Sequence, residues 1–236
     1  MNIEIWSDIV CPFCYIGKRH LELALEQFEH RQDVHITWRS FELDPTAPAT
    51  ADHNLVDMIA EKYGISTEQS EASQHDVATR AQAVGLSFNW QTARYGNTFD
   101  AHRLIHLAQK HGLQDEAEEA FKKAYFTDSQ SVGEHDVLQR YAESIGLPAP
   151  QVAEVLASDQ YADAVRADEM RARELGIQGV PFFLIDEKWA INGAQPVEAI
   201  LQGLRSVWAE THPASKPQFI TVDGAEEAPT CGPNGC

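Results

Sequence analysis

The sequence predicts an α/β fold in which strand-forming segments from the two ends of the chain build one sheet and a long helical stretch is inserted between them. Three observations carry this. Strand, helix and strand patterns follow one another between Ile3 and Leu43. From about Asn54 to Gly176 the periodicity is helical almost throughout. Two short strand segments and a helix then close the ordered pattern before a tail rich in proline, glycine and acidic residues.

The first strand is read from the alternation at Ile3, Glu4 and Ile5 and from the apolar Trp6, Ile9 and Val10 that lead out of it. Tyr15 to Phe28 lacks proline, and Gly17 is its one weak helix former, so a helix follows. The Cys11-Pro12-Phe13-Cys14 segment lies at the junction. Pro12 suits the first helical position, where its missing N–H removes nothing the helix needs and its φ is already helical. Residues three apart share a helix face, so the two sulfurs can close a small disulfide ring. Free N–H groups and the helix dipole at this end stabilise a Cys11 thiolate. Cys11 is therefore the expected nucleophile, exposed and acidified at the helix start. Cys14 continues the apolar stripe of Gly17, Leu21, Ala24 or Leu25, and Phe28, and is the expected buried, resolving thiol. The competing reading is half of a zinc site. Zinc knuckles sit in tight turns between short ribbons, and a proline at the first helical position has no purpose in a pair of inert buried cysteines.

Val34 to Leu43 alternates apolar and polar residues with β-branched and aromatic enrichment and ends at Asp44-Pro45, so it reads as the second strand. The βαβ unit so formed should cross over right-handed and place its strands parallel. Helices are expected over Leu55 to Tyr63, Glu68 to Val84, Phe99 to His111, Asp115 to Phe126, Asp136 to Ile145 and Pro150 to Leu175, the last one broken near Asp159. Gly64, Gly85, Gly112 and Gly146 each follow such a run, as glycines that end helices do. Strands are expected again near 181–186 and 189–193, and a last helix from Gln195 to Trp208. The implied organisation is a discontinuous α/β domain of residues 1–50 and 177–211, an inserted helical subdomain of residues 51–176, and an irregular tail of residues 212–236 with a second cysteine pair, Cys231 and Cys236.

Thirty-six acidic against eighteen basic residues give a formal charge of −18, which argues against nucleic acid and anionic membrane surfaces as partners. No apolar run approaches the roughly 18 residues needed to span a membrane. The N-terminus shows no basic n-region or signal-peptide core, and a cytoplasmic location is expected. In a reducing compartment, closely spaced cysteine pairs point to catalysis or redox sensing. No glycine-rich phosphate loop is seen, the histidines are read as lacking both H-x-x-x-H and H-E-x-x-H metal spacing, and neither cofactor nor metal is expected.

Together, the strand–Cys11-Pro12-Phe13-Cys14–helix start preceded by Ser7-Asp8, the Asn97-Thr98 and Ala101-His102-Arg103-Leu104 segment, and Gly179-Val180-Pro181-Phe182-Phe183 resemble the DsbA-like branch of the thioredoxin superfamily, most of all the cytoplasmic FrnE-type oxidoreductases. The resemblance spans residues 1 to about 210. It implies a thioredoxin fold with a mixed four-stranded sheet and a large helical insertion between its βαβ and ββα halves. It also implies oxidation, reduction or isomerisation of protein disulfides through Cys11 and Cys14. Pro181 would be the cis-proline beside the disulfide, and the Val180 backbone would pair with an extended substrate segment. Protein thiols and disulfides are the implied partners, with glutathione or a thioredoxin-type reductant as electron source. Phe13 stands where periplasmic DsbA carries a histidine that stabilises the thiolate, so the couple is expected nearer glutaredoxin or isomerase potentials. Two other classes compete. Glutathione-dependent isomerases of the kappa and hydroxychromene-carboxylate type share the architecture but use one activated serine or cysteine, and a redox-regulated chaperone would use the cysteines as a switch.

His102 and Arg103 are read as packed or hydrogen-bonded structural residues of a half-buried helix, and Asp8 as a turn or capping residue that could also help a thiol proton to move. The acidic run Asp115, Glu116, Glu118 and Glu119 is read as a solvated first helical turn. Gly232-Pro233-Asn234-Gly235 is a turn sequence, so Cys231 and Cys236 can lie close enough for a disulfide. FrnE-type proteins carry such a second pair, and an electron relay to Cys11 and Cys14 competes with an incidental or metal-clipping role. Reach does not oppose a relay, since the roughly 20 residues after Thr211 extend up to about 65 Å against an expected radius of gyration of about 18 Å.

Overall fold

A computed structural model describes residues 1–50 and 54–213. The first strand, β1 (Asn2–Ser7), runs into α1 (Pro12–Glu26), and a short 3-10 turn leads to β2 (His35–Ser40). Seven helices follow: α2 (Leu55–Tyr63), α3 (Thr67–Gln82), α4 (Phe99–Lys110), α5 (Gln114–Phe126), α6 (His135–Ser144), α7 (Ala149–Leu156) and α8 (Ala162–Glu174). The hairpin β3 (Phe182–Ile185) and β4 (Trp189–Asn192) and the helix α9 (Val197–Thr211) complete the described fold.

The strands form one mixed sheet in the order β2-β1-β3-β4, with β1 parallel to β2 and antiparallel to β3. Strand alternation sends Ile3 and Ile5 of β1, with Phe183 and Ile185 of β3, to one face, where α1 and α9 cover them. Trp6 and Leu184 turn to the other face, against Ala172 of α8, and the Trp6 indole donates to the Asp168 carbonyl at 3.0 Å. The larger apolar cluster runs without a break from these sheet residues into Leu104 of α4, Phe121 of α5 and Leu138 of α6.

Helix ends follow the local signals closely. All four glycines expected to stop helices have positive φ, and at Gly64 (φ 65°) the αL cap lets its N–H reach back to Ala60 and Glu61. The long last stretch breaks after Leu156, and Tyr161 at φ 64° starts α8 afresh. The second strand is shorter than its alternation suggests. It was expected to run to Leu43 but stops at Ser40, because side chains from elsewhere replace a strand partner. Asp168 takes the Ser40 N–H at 3.0 Å, Glu169 the Glu42 N–H and Asp8 the Leu43 N–H at 2.8 Å. As an edge strand β2 also needs its outward groups satisfied. The Gln114 amide does this at Trp38, accepting from its N–H and donating to its carbonyl, both at 3.0 Å.

Candidate active site

Cys11 is the residue that caps α1. Its backbone is extended (φ −85°, ψ 112°), Pro12 takes the first helical position, and the Cys11 carbonyl accepts from the N–H groups of Cys14 and Tyr15. Cys14, one turn on, is fully buried, and both residues are present as thiols. The Cys11 sulfur lies 3.6 Å from the carbonyl of Val180. The Val180–Pro181 peptide is cis, and the Pro181 carbonyl holds the Gly193 N–H at 2.9 Å. The two loops can approach this closely because position 17 has no side chain. A β-carbon on Gly17 would stand 2.9 Å from the Pro181 ring, closer than such atoms approach. Of the sequence-derived site residues, Cys11, Cys14, Val180 and Pro181 thus meet at one point, and Cys231 and Cys236 lie outside the described residues.

An exposed Cys11 was expected from its place at a helix start, and the structure corrects this. Only 4% of its surface is accessible. Helix termini are open when considered alone, but here the Val180 loop lies against the sulfur, and Cys11 lines a cavity of about 500 Å³ together with apolar residues of α2 and α3. Phe13 next to it is 40% exposed. Burial pushes the Cys14 thiol well above its ordinary pKa, the neighbouring Cys11 adds to the rise, and the Lys122 ammonium opposes it.

That lysine belongs to a buried group that sequence reasoning missed. Lys122 is fully buried and paired with Glu118, which is 1% exposed, and it donates to the Ser7 hydroxyl at 3.0 Å. The reading of residues 115–119 as a solvated acidic turn is therefore wrong at its centre. Glu118 faces inward, while Asp115 and Glu119 grip Lys18, itself 3% exposed. The available signal was the four-residue spacing of Glu118 and Lys122, which puts opposite charges on one helix face.

Asp8 and His102 form a second buried pair beneath the Cys11 loop. The Asp8 carboxylate accepts from the N–H of Ile9 at 2.7 Å and of Leu43 at 2.8 Å, and meets His102 Nε2 at 3.3 Å. One side chain thereby ties the exit of β1 to the exit of β2, which accords with the capping reading of Asp8 and the structural reading of His102. Burial alone would raise the Asp8 pKa, but the His102 contact and the Leu43 N–H lower it overall. Burial alone would lower the His102 pKa, but Asp8, with Glu118 and Glu42 further off, raises it overall. Arg103 holds the turn between α7 and α8 by donating to the carbonyls of Gln160, Val155 and Ser158.

The sign of the pH effect follows. Stability from His102 is complete below its ordinary value of 6.5 and is lost as pH rises through the raised folded value. Stability from Asp8 is complete above 3.8 and is lost as pH falls through the lowered one. His102→Gln should therefore destabilise the protein by about 3–5 kcal/mol near pH 6 and by clearly less at high pH. Urea unfolding at several pH values, in a Cys11→Ser/Cys14→Ser background so that thiol ionisation is absent, checks this. A penalty independent of pH would refute it.

His102 and His106 stand four apart on α4, a spacing that can hold a metal and that runs against the expectation of no ligand pattern. Both are engaged otherwise, His102 with Asp8 and His106 with Ser40 and Asp168 at 3.2 Å each. Among the described residues no group of three or more His, Cys, Asp or Glu is placed to hold a metal ion.

A family model described as the DSBA-like thioredoxin domain matches residues 2–205. This chain belongs to that family. A probable DsbA oxidoreductase from Streptomyces coelicolor is 41% identical, with a TM-score of 0.85 over 100% of this chain and 98% of that one. Two more distant structures share the fold. A 2-hydroxychromene-2-carboxylate isomerase is 14% identical (TM-score 0.65, covering 92% of this chain and 100% of that one). The cytosolic disulfide reductase DsbM from Pseudomonas aeruginosa, also solved with GSH, is 15% identical (TM-score 0.61, covering 89% and 100%). The chain thus has the thioredoxin fold of the DsbA-like thiol oxidoreductase family. No helix among the described residues is long and apolar enough to cross a membrane.

Proposed function

We propose that this DsbA-like protein is a cytoplasmic thiol–disulfide oxidoreductase in which Cys11 attacks and Cys14 resolves. The observation that carries the reading is the pairing of a thiol at the N-terminus of α1, beside the Val180 carbonyl, with a second, fully buried thiol one turn away. Attack by Cys11 on a disulfide gives a mixed disulfide, and Cys14 then displaces the remaining half and closes the Cys11–Cys14 bond. A backbone segment at Val180 and Pro181 would hold the substrate, and glutathione or a thioredoxin-type reductant would return the electrons. An isomerase of the hydroxychromene-carboxylate type needs one activated group, and a buried second thiol has no task in it. The deciding measurement is the reduction potential of the Cys11/Cys14 couple together with turnover of an insulin-type substrate. With Phe13 between the cysteines the expected potential lies between about −180 and −230 mV. Glutathione-dependent isomerisation that survives Cys14→Ser would overturn the reading in favour of the isomerase.

The Cys231/Cys236 pair is proposed as a relay to the first pair. A tethered disulfide has an effective concentration on the order of millimolar at its target, so exchange needs little intrinsic affinity. Cys231→Ser/Cys236→Ser should slow recycling with the same substrate and reductant, and a Cys14→Ser variant should trap a disulfide joining Cys11 to the tail. Unchanged recycling with no such crosslink would remove the relay.

A further inference from the structure

The cavity at Cys11 has a composition unlike that of the molecule as a whole. It is lined by Leu55, Met58, Ile59 and Val77 of α2 and α3, by Tyr125 and Phe126 of α5, and by Phe13, Leu43 and Val180, the last in contact with the sulfur. Acidic residues outnumber basic ones two to one in the chain, yet no carboxylate lines this cavity. Its one charged lining group is Lys62, an exposed residue with no ion pair among the described residues. A cavity of about 500 Å³ is the size of a small-molecule or side-chain pocket rather than of a protein interface. Cys11, 4% accessible, is one of its lining residues.

We propose that this cavity selects the substrate of the reaction above: a disulfide whose sulfur carries an apolar or aromatic group ending in a carboxylate, the apolar part filling the space between α2, α3 and Phe13 and the carboxylate meeting Lys62. The inference rests on Cys11 being the attacking thiol. In the step it favours, the Cys11 thiolate attacks one sulfur of R–S–S–R′, the S–S bond breaks, and R′–S⁻ leaves. Cys14 next attacks the Cys11 sulfur, R–S⁻ leaves with the Cys14 proton, and two electrons have passed from the protein dithiol to the substrate. Burial of an aromatic group should favour such a disulfide by roughly 10-fold or more over a small hydrophilic one. An exposed lysine adds a few-fold, screened by salt.

The test uses the reduced full chain with Cys231→Ser/Cys236→Ser, so that Cys11 and Cys14 alone react. Stopped-flow rates are measured with 5,5′-dithiobis(2-nitrobenzoate), aromatic and anionic, with 4,4′-dithiodipyridine, aromatic and neutral, and with hydroxyethyl disulfide, small and neutral. Each is divided by the rate of the same probe with N-acetylcysteine, which cancels intrinsic reactivity. Both aromatic probes should exceed hydroxyethyl disulfide on this scale, and the anionic one should lead. Lys62→Glu should lower the ratio of the anionic to the neutral aromatic probe several-fold, less so in 0.5 M salt. Met58→Asp, at a partly exposed wall position, should lower the ratio of both aromatic probes to hydroxyethyl disulfide. Equal normalised rates for the three probes, or a Lys62→Glu effect that is absent or the same for all, would overturn the pocket while leaving Cys11 as nucleophile. Probe reactions that persist unchanged in Cys11→Ser would instead remove the reading of the site on which the pocket rests.

Discussion

Cys11→Ser should abolish disulfide reductase turnover, while Cys14→Ser should retain the first attack and accumulate mixed disulfides on Cys11. The two thiols differ in what surrounds them. Cys11 sits at the end of a helix whose free N–H groups and dipole favour an anion, and it opens onto the cavity. Cys14 is enclosed and its thiol is held protonated by burial, so it cannot compete for the first attack. Loss of a nucleophile that no neighbour replaces removes the covalent route, and the residual rate should fall to that of the uncatalysed exchange. Mass spectrometry of trapped adducts checks the order of attack. Wild-type turnover in Cys11→Ser, or adducts mapped to Cys14, would show that the roles are reversed.

Removing Lys122 should destabilise the protein severely, as His102→Gln should near pH 6. Lys122→Ala leaves the Glu118 carboxylate buried without its cation and the Ser7 hydroxyl without its donor. Breaking one side of a buried pair costs about 3–5 kcal/mol, a fall in melting temperature of roughly 6–20 °C for a chain of this size. Lys122→Met/Glu118→Leu removes both charges at similar volume and should recover most of that loss. Thermal and urea unfolding of the two variants and the wild type decide the matter, and a double variant as unstable as Lys122→Ala would show that shape rather than charge is at issue. The same lysine opposes the rise in the Cys14 pKa. Its removal should therefore move resolution of the mixed disulfide to higher pH, a shift that a purely structural lysine would not cause.

The sequence by itself determined most of what depends on backbone neighbours a few residues apart. The alternation at Ile3 to Ile5, the proline-opened helix carrying Cys11 and Cys14, the glycine stops and the closing hairpin all express local periodicity and local backbone freedom, and all were legible before any coordinates. Tertiary structure decided what depends on segments far apart along the chain. Glu118 and Lys122 carry the pattern of a solvated helix, and only the packing of α5 beneath Ser7 turns them inward. Gly17 reads as a weak helix former until Pro181, brought in from the other end of the chain, needs the space of its missing side chain. Asp8 and His102 are 94 residues apart along the chain, with α1, β2, α2 and α3 between them, and β2 loses its last residues to side chains from α8 and from Asp8. Burial and electrostatics act through space, and for that reason the enclosure of Cys11 and the charges beneath Cys14 could not be read from the chain alone.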